Sequence, residues 1–439
     1  MMKFIAAGCY AYLVVILIWP VSLWANDTTY YVDKLLPGSN SNNGTSTATP
    51  FLTVLKCIQT ATLPGDTCLI KNGTYSNEAL GNIVNNGGTS GHPITYKAYP
   101  GHTPVISWTD NTNSNNRILL NHSTATCTSS PPGWYVFEGL EISNGYNGIK
   151  INCAHDVVIR NNHIHDTWYP GILIPAGLNN TIDRNRVHHA GDFSGAVDPS
   201  TGQTHTHCFY LNGTGYVITN NLIYDCYLYG MQLKATTLGD PTSSPAPSQS
   251  YVSFSGLIAN NTIAYTVTRG GLVLYNVGGT INNTTIENNI FYENVQLSGN
   301  TAPQGVHFYG GTGSRCPACV ATIRNNLWFA TGNMSTTFTM AGDLLSNPLP
   351  AGVTITNTTN ANPLFINGPS TIPAAPNFHL STSPIASPAI GIGFNLTGVV
   401  TTDLDGAART APYDDGAYVA TASPSDTTPP ATPTGLRVD

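Results

Sequence analysis

The chain has 439 residues, of which 41% are apolar and only 9% are charged. This apolar content excludes an intrinsically disordered chain, because such chains lack the side chains needed for a core. The net charge of -7 is mild and the 16 Lys and Arg residues form no basic run, so no nucleic-acid partner is expected.

The N-terminus has the pattern of a signal peptide. Lys3 precedes an apolar run from Ile5 to Ala25, which predicts cleavage after Ala25. Because the run is long, an uncleaved anchor is the alternative. No other stretch is long and apolar enough to span a membrane. We therefore expect a secreted protein that loses residues 1–25 and has no membrane association after cleavage.

The next segment predicts a cap for the end of a repeating fold. Phe51 to Thr60 shows helical spacing, and the strand Cys68 to Ile70 follows. A short helix at this place would protect the first strands from edge pairing. We predict that residues 26–75 form the N-terminal cap and the first coil.

Two sequence elements then repeat in phase. In the first, Ile-x-x-Asn is followed two places later by another apolar residue; in the second, a Gly is followed by alternating apolar residues. Short coils of this kind cannot bury their apolar edge alone, but a stack of them forms a continuous core. The first element begins at Ile159, Ile182, Ile218, Ile258, Ile286 and Ile323, and the second at Gly148, Gly171, Gly230, Gly271 and Gly305.

These repeats predict an all-β solenoid, a parallel β-helix over residues 26–422 with a short N-terminal capping helix. Stacked coils place identical residues above one another at the strand spacing of about 4.8 Å. Asn side chains can then bond along a turn from coil to coil. Pro363 to Ala389 reads as final irregular coils. Residues 423–439 read as a Pro/Thr-rich linker or the remnant of a fibronectin type III-like module.

Nine cysteines minus Cys9 of the signal segment leave eight. An even number in an exported protein favours disulfide bonds over free thiols or metal ligands. Proximity in the sequence predicts the pairs Cys57–Cys68, Cys127–Cys153, Cys208–Cys226 and Cys316–Cys319.

Several N-terminal motifs resemble those of the pectate-lyase-like superfamily of right-handed parallel β-helices. They are Tyr30 to Asp33, Pro64 to Thr67, Gly73 to Tyr75 and Gly91 to Gly101, and with the repeats the resemblance covers most of residues 27–420. It implies a right-handed helix and a carbohydrate-active function, as in lyases of pectate, alginate and chondroitin, some hydrolases and epimerases. Calcium-dependent pectate lyases of this type carry clustered Asp residues, and this sequence lacks that cluster. No cofactor is required, calcium stays open without a clear site, and metal ligands remain unknown.

The repeat register predicts which side chains point outward. Ionisable and aromatic groups concentrate on the early coils, beside an insertion from Gly191 to Thr206. Long loops over a solenoid face are common places for binding and catalysis. The outward positions are His165, His188, Tyr224, Asp166, His189 and Asp225 after the Ile-x-x-Asn element, and Lys150, Tyr210, Gln232 and His307 in the second element.

This set suits β-elimination on a uronate-containing polysaccharide, which needs a base, an acid and a cation for the carboxylate. We predict His188, His189 or His207 as the base and Tyr210 as the acid. Lys150 and Arg186 would hold the uronate. The remaining substrate-binding candidates are His165, Tyr224 and Lys234.

Other interpretations stay open. The aromatic and polar rows could make a non-catalytic glycan-binding or structural surface, and each His could be a plain surface residue. A glycoside hydrolase would use two acids, for which Asp166 and Asp225 are the candidates. His and Asp could bind a metal, although no tight ligand spacing appears. In each case we expect a monomer whose partner is a polysaccharide.

Overall fold

The computed structural model describes residues 27–35, 37–80, 83, 87–110, 115–121, 131–191, 207–236, 253–296, 304–310, 316, 319–331, 340–343 and 349–420. Nearly all regular structure in these ranges is strand, arranged in two long parallel sheets. The exception is helix α1 (Val54–Thr60), which begins after Thr53 because the Thr53 hydroxyl accepts a bond from the Lys56 N–H at 3.2 Å. No helix of these residues is long and apolar enough to cross a membrane.

The first sheet, called sheet A, has 19 strands in two rows. Strands β13 and β16 run through both rows, with a register shift at the bend. One row contains β6 (Ile118–Leu120), β9 (Ile149–Ile151), β13 (Ile172–Leu178), β16 (Phe209–Thr219), β18 (Met231–Thr236), β21 (Leu272–Val277), β24 (Val306–Tyr309) and β27 (Ala341–Asp343). The other contains β1 (Thr29–Val32), β2 (Thr67–Ile70), β4 (Ile94–Ala98), β7 (Tyr135–Glu138), β10 (Ala154–His155), β11 (Val158–Arg160), β14 (Thr181–Asp183), β19 (Ser253–Ala259), β22 (Thr280–Glu287), β25 (Cys319–Arg324) and β28 (Gly352–Thr356).

The second sheet, called sheet B, has ten parallel strands. Each coil therefore has three strand segments, two in sheet A and one in sheet B. The strands of sheet B are β3 (Thr74–Ser76), β5 (Val105–Ser107), β8 (Glu141–Ser143), β12 (His163–Thr167), β15 (Arg186–Ala190), β17 (Leu222–Cys226), β20 (Thr262–Ala264), β23 (Ile290–Tyr292), β26 (Leu327–Phe329) and β29 (Thr359–Asn360).

The Ile-x-x-Asn element explains how each coil turns from sheet A to sheet B. Its Ile points into the core, and its last Asn is buried in the turn. Asn185, for example, donates its amide N–H to the Asn221 side-chain oxygen at 3.0 Å and to the Ile159 carbonyl at 2.9 Å. These bonds satisfy polar groups that the turn removes from water. The ladder runs through Asn162, Asn185, Asn221, Asn261, Asn289 and Asn326.

Three of the predicted disulfides are present: Cys57–Cys68, Cys208–Cys226 and Cys316–Cys319. Cys153 is also disulfide-bonded, and its predicted partner Cys127 lies outside the described residues. Cys57 is in α1, so its bond fixes the capping helix to β2. The predicted signal segment 1–25 and the predicted linker 423–439 likewise lie outside the described residues.

Residues 363–420, here called the strap, do not continue the coils as the sequence analysis expected. After the antiparallel pair β30 (Phe365–Asn367) and β31 (Asn377–Leu380), the chain folds back over the outer side of sheet B. Phe378 lies against Tyr224, with 5.3 Å between ring centroids. The physical reason is that the outward residues of the later sheet B strands are aromatic and aliphatic, and the strap buries them.

The strap is bound to the turns through the first Asn of the Asn-Asn pairs. Asn260 donates to the Asp414 carbonyl and Asn288 to the Phe394 carbonyl, both at 2.8 Å. Asn288 has a positive φ of 56°, a conformation that Asn tolerates better than most residues. In the later pairs, one Asn thus serves the internal ladder and the other receives the strap.

Candidate active site

The outer side of sheet B, here called the histidine face, carries the predicted histidines as a packed group. His165 pairs in register with His188, and their rings stack with centroids 5.2 Å apart. His188 also stacks on Tyr224, with 4.6 Å between centroids. The Nε2 atoms of His163 and His188 are 2.9 Å apart, so one ring donates its N–H to the other. The predicted row His165, His188, Tyr224 therefore forms one continuous stack.

Proton affinities differ sharply within this stack. Burial opposes protonation of His165, but its bonds to Asp166 and Glu141 raise its pKa to about 9. Burial and the neighbouring His165 lower the pKa of His163 to about 4. Burial, with His163 and His165 nearby, holds the pKa of His188 well below its usual value. At neutral pH the group thus holds one charged ring beside two neutral ones.

The contacts and pKa shifts of this stack affect whether His188 and His189 can act as the predicted base. His188 is neutral, but its Nε2 is engaged with His163 and its ring is held between His165 and Tyr224. His189 bonds Asp225 at 2.8 Å, and despite burial that bond raises its pKa, which favours the charged form. One nitrogen of each ring is therefore already bonded within the protein, which makes both rings weaker candidates for the base than the sequence analysis expected.

The leading edge of the strap borders the histidine face. Arg186 bonds Asp405 of the strap at 3.2 Å, and His379 bonds the other oxygen of Asp405 at 2.7 Å. Beside this edge lies a cleft of about 240 Å³. It is lined by Asn161, Asn162, His163, Arg184, Arg186 and Leu404.

The other predicted residues lie on sheet A, on the outer side of the row from β6 to β27, here called the lysine face. Register places Leu119, Lys150 and Leu173 in line, followed by Tyr210, Gln232, Val273 and His307. The structure therefore does not bring the predicted residues into one site. His165, Arg186, His188, His189 and Tyr224 are on the histidine face, while Lys150, Tyr210 and Lys234 are on the lysine face, with His207 just before β16.

Much of the lysine face is outward in register but not exposed, contrary to the expectation of a surface row. Lys234 is 2% exposed and His307 is fully buried. The reason is that these side chains cover one another: the Lys234 ammonium lies over the rings of Tyr210 and Tyr275, and Tyr229 bonds His307. His207 is 2% exposed, and its Nδ1 accepts the Tyr229 backbone N–H at 3.3 Å.

The early end of the lysine face is more open, and it holds a cation that the sequence analysis missed. Arg117, just before β6, lies beside Lys150, and both side chains are partly buried. Burial, followed by the charge of Arg117, lowers the pKa of Lys150 to about 8. Among the described residues no carboxylate compensates either cation. The signal that could have revealed Arg117 is its place one coil before Lys150, just ahead of a strand in the same row.

Aromatic and amide groups surround this cation pair. The Arg117 guanidinium lies 5.9 Å from the Tyr146 ring, which stacks on Tyr169 with 4.5 Å between centroids. Asn152, two residues after Lys150 on the same side of β9, donates to Asn121 at 2.8 Å. No carboxylate cluster is present, so the described residues near Lys150 do not fit a calcium ion. More broadly, no group of three His, Cys, Asp or Glu among the described residues could hold a metal.

Residues 118–327 match the family model described as a right handed beta helix region. The chain is a right-handed parallel β-helix. The right-handed parallel β-helix expected from the resemblance is thereby confirmed. No curated protein matches the sequence of this β-helix.

Solved structures similar to this β-helix include several polysaccharide lyases. The pectate lyase Pel9A is 17% identical, with a TM-score of 0.49 and coverage of 90% of this chain and 96% of that one. A rhamnogalacturonan lyase is 16% identical, with a TM-score of 0.46 and coverage of 81% and 97%. An alginate lyase from Paenibacillus sp. str. FPU-7 is 13% identical, with a TM-score of 0.41 and coverage of 70% and 95%.

Proposed function

We propose that the protein is a secreted polysaccharide lyase that cleaves a uronate-containing glycan by β-elimination on the lysine face. The observation that carries this proposal is the pair Arg117 and Lys150, two adjacent cations with no compensating carboxylate among the described residues. Two like charges held together favour an anionic ligand, because its binding removes their repulsion. The carboxylate of a uronate supplies such a charge.

The two cations suit different parts of the reaction. An arginine stays charged at all relevant pH values and can hold the carboxylate through two parallel bonds, which stabilises the charge that develops when the neighbouring C–H bond breaks. With its pKa lowered to about 8, Lys150 is partly neutral near neutral pH and can take the proton from carbon.

The elimination then needs no further reactant. The electrons of the C5–H bond form the C4–C5 double bond, the C4–O bond breaks, and the proton taken by Lys150 returns to the leaving oxygen. The stacked Tyr146 and Tyr169 lie beside the cation pair and give it a rigid aromatic border. This assignment differs from the histidine base of the sequence analysis, because Nε2 of His188 and Nδ1 of His189 are already bonded to His163 and Asp225 and His207 is buried.

A panel of polyuronates and neutral glycans tests the proposal. Purified protein should generate ultraviolet absorbance from unsaturated ends on at least one polyuronate, and Arg117→Ala and Lys150→Ala should each lower its rate of formation by about 10²-fold or more. Lys97→Ala, on another row of sheet A, is the matched control and should keep full activity. New reducing ends without absorbance would show a hydrolase, and retention without product would show a glycan-binding protein; either result would refute the lyase.

Secretion is part of the same proposal. The disulfides at Cys57–Cys68, Cys208–Cys226 and Cys316–Cys319 are typical of an oxidising compartment, and the N-terminal pattern predicts export. Expression of the full chain with its N-terminal segment should yield protein outside the cytoplasm that starts at Asn26. Retention of the segment on a membrane would support the uncleaved anchor instead.

A further inference from the structure

The strap contains a buried carboxyl group without a hydrogen-bond partner. Asp415 is fully buried, and neither of its side-chain oxygens accepts or donates a hydrogen bond. The carboxyl lies against Gly393 of the strap, since its Oδ1 is 3.1 Å from the position a Cβ would take there. An isolated carboxylate cannot remain ionised in such surroundings without a large loss of solvation energy.

Arg409, the cation that acts on Asp415, already donates hydrogen bonds to other groups. Arg409 donates through Nε to the Asn220 side chain, through Nη1 to the Asp414 carbonyl and through Nη2 to the Gly416 carbonyl. Its charge lowers the proton affinity of Asp415 only in part, while Asp414 raises it. Burial dominates and raises the pKa of Asp415 well above its usual value.

The other elements around this carboxyl add no compensating charge. On the solenoid side, the neighbouring strap residues Asp414 and Phe394 contact the uncharged amides of Asn260 and Asn288. In the same part of the solenoid, Arg324 already forms an ion pair with Glu287 at 2.6 Å, and its guanidinium lies on the Phe394 ring of the strap. The neighbouring acids Asp403 and Asp414 are bonded to strap backbone N–H groups.

Asp415 lies next to strap residues that contact the solenoid closely. The next residue, Gly416, has a φ of +87°, and a Cβ there would lie 2.6 Å from Ile290 of sheet B. Gly416 also donates to the Asn288 carbonyl at 2.8 Å, and Ala417 donates to the Thr262 hydroxyl at 3.0 Å. A charge that draws Asp415 toward water must therefore disturb the contacts that hold the strap down.

Tyr224, Tyr265 and Tyr292, here called the aromatic strip, lie under the strap on the histidine face. We propose that the strap is a proton-controlled lid on the aromatic strip, held closed while Asp415 carries a proton and released as Asp415 ionises. The sign follows from linkage. A carboxyl that holds its proton more tightly when buried stabilises the closed form fully below its ordinary value of 3.8, and this stabilisation is lost as the pH rises.

Hydrogen–deuterium exchange as a function of pH tests the lid. As the pH rises above 3.8, protection factors of the strap and of the strands that carry the aromatic strip should fall, by at most about tenfold per pH unit, as expected for one linked proton. Strands beneath the lysine face should keep theirs. Asp415→Asn removes the titration while keeping the shape, so its strap protection should be independent of pH. Asp405→Asn, at the exposed edge of the strap, is the matched control and should retain the wild-type slope.

Three results would overturn the proposal. They are a flat profile in the wild type, an unchanged slope in Asp415→Asn, and loss of protection in strap and solenoid together. If Asp415→Asn does not fold, infrared spectroscopy of wild-type protein with ¹³C-labelled aspartate gives an independent readout. A protonated carboxyl band at pH 7 is expected, and its absence would refute the proton-holding role of Asp415.

Discussion

The lysine face and the histidine face are built on the same coils but differ in how their charges are compensated. On the histidine face each charged ring has a carboxylate beside it, as His165 has Asp166 and His189 has Asp225. On the lysine face Arg117 and Lys150 have only each other among the described residues. A charge that is paired with an opposite charge of the protein needs no ligand, whereas a pair of unpaired cations indicates a site for an anionic ligand. A dense cluster of titratable groups is therefore a weaker sign of catalysis than a small uncompensated one.

The largest effect that separates the two faces should come from Lys150. Lys150→Ala removes the proposed base, and the loss of a positioned base lowers kcat by about 10² to 10⁴-fold. Initial rates of unsaturated product formation measure it. His188→Ala should leave that rate within about twofold, because His188 lies on the other face. A large loss of rate in His188→Ala with a normal rate in Lys150→Ala would reverse the assignment.

The pH dependence of the reaction should also follow Lys150. A base must be neutral to accept a proton, so kcat/KM should rise with pH and level off near the lowered pKa of about 8. If Lys150 served only as a cation that binds the carboxylate, the rate would fall through the same pH. A rate profile from pH 6 to 10, with a check that the protein stays folded, distinguishes the two roles.

The stack on the histidine face should contribute to stability. His188→Ala removes the hydrogen bond with His163 and the stacking on His165 and Tyr224, which we expect to cost about 1–2 kcal/mol of unfolding free energy. Urea unfolding measures this loss. A variant as stable as the wild type would show that the stack is not structural.

The smallest effect concerns the pH dependence of stability. The raised pKa of His165 gives stabilisation that is complete below its ordinary value of 6.5 and is lost as the pH rises through about 9. His163 acts in the opposite sense, because its stabilisation is complete above 6.5 and is lost as the pH falls through about 4. In His165→Gln the alkaline loss should shrink while the acid loss remains. Unfolding free energies from pH 4 to 9 would contradict this if both slopes stayed unchanged.

The repeats made the solenoid and its outward rows predictable because stacking converts sequence period directly into position. The Asn ladder and the stack of His165, His188 and Tyr224 follow from that period alone. The register also placed Lys150 and Tyr210 correctly in one row. The repeat period does not show how the two sheets are oriented relative to each other. The sequence analysis therefore predicted one site from outward residues that the fold places on two separate faces.

Two further features depend on contacts that are distant in the sequence. The strap reaches Asn260 from Asp414, 154 residues away, and nothing in the local pattern marks that pairing. Arg117 precedes the regular repeats, so no aligned position identified it. The insertion from Gly191 to Thr206 lies outside the described residues beyond Gly191, and its predicted contribution stays a prediction.

The most direct test of the central claim is to locate a bound acidic oligosaccharide on the protein. Lys150→Ala, which should bind without cleaving, can be mixed with a short oligouronate and followed by hydrogen–deuterium exchange. The account predicts slower exchange in β6, which directly follows Arg117, and in β9, which carries position 150, with no change in β12 and β15. Protection of β12 and β15 instead, under the histidine face, would contradict it.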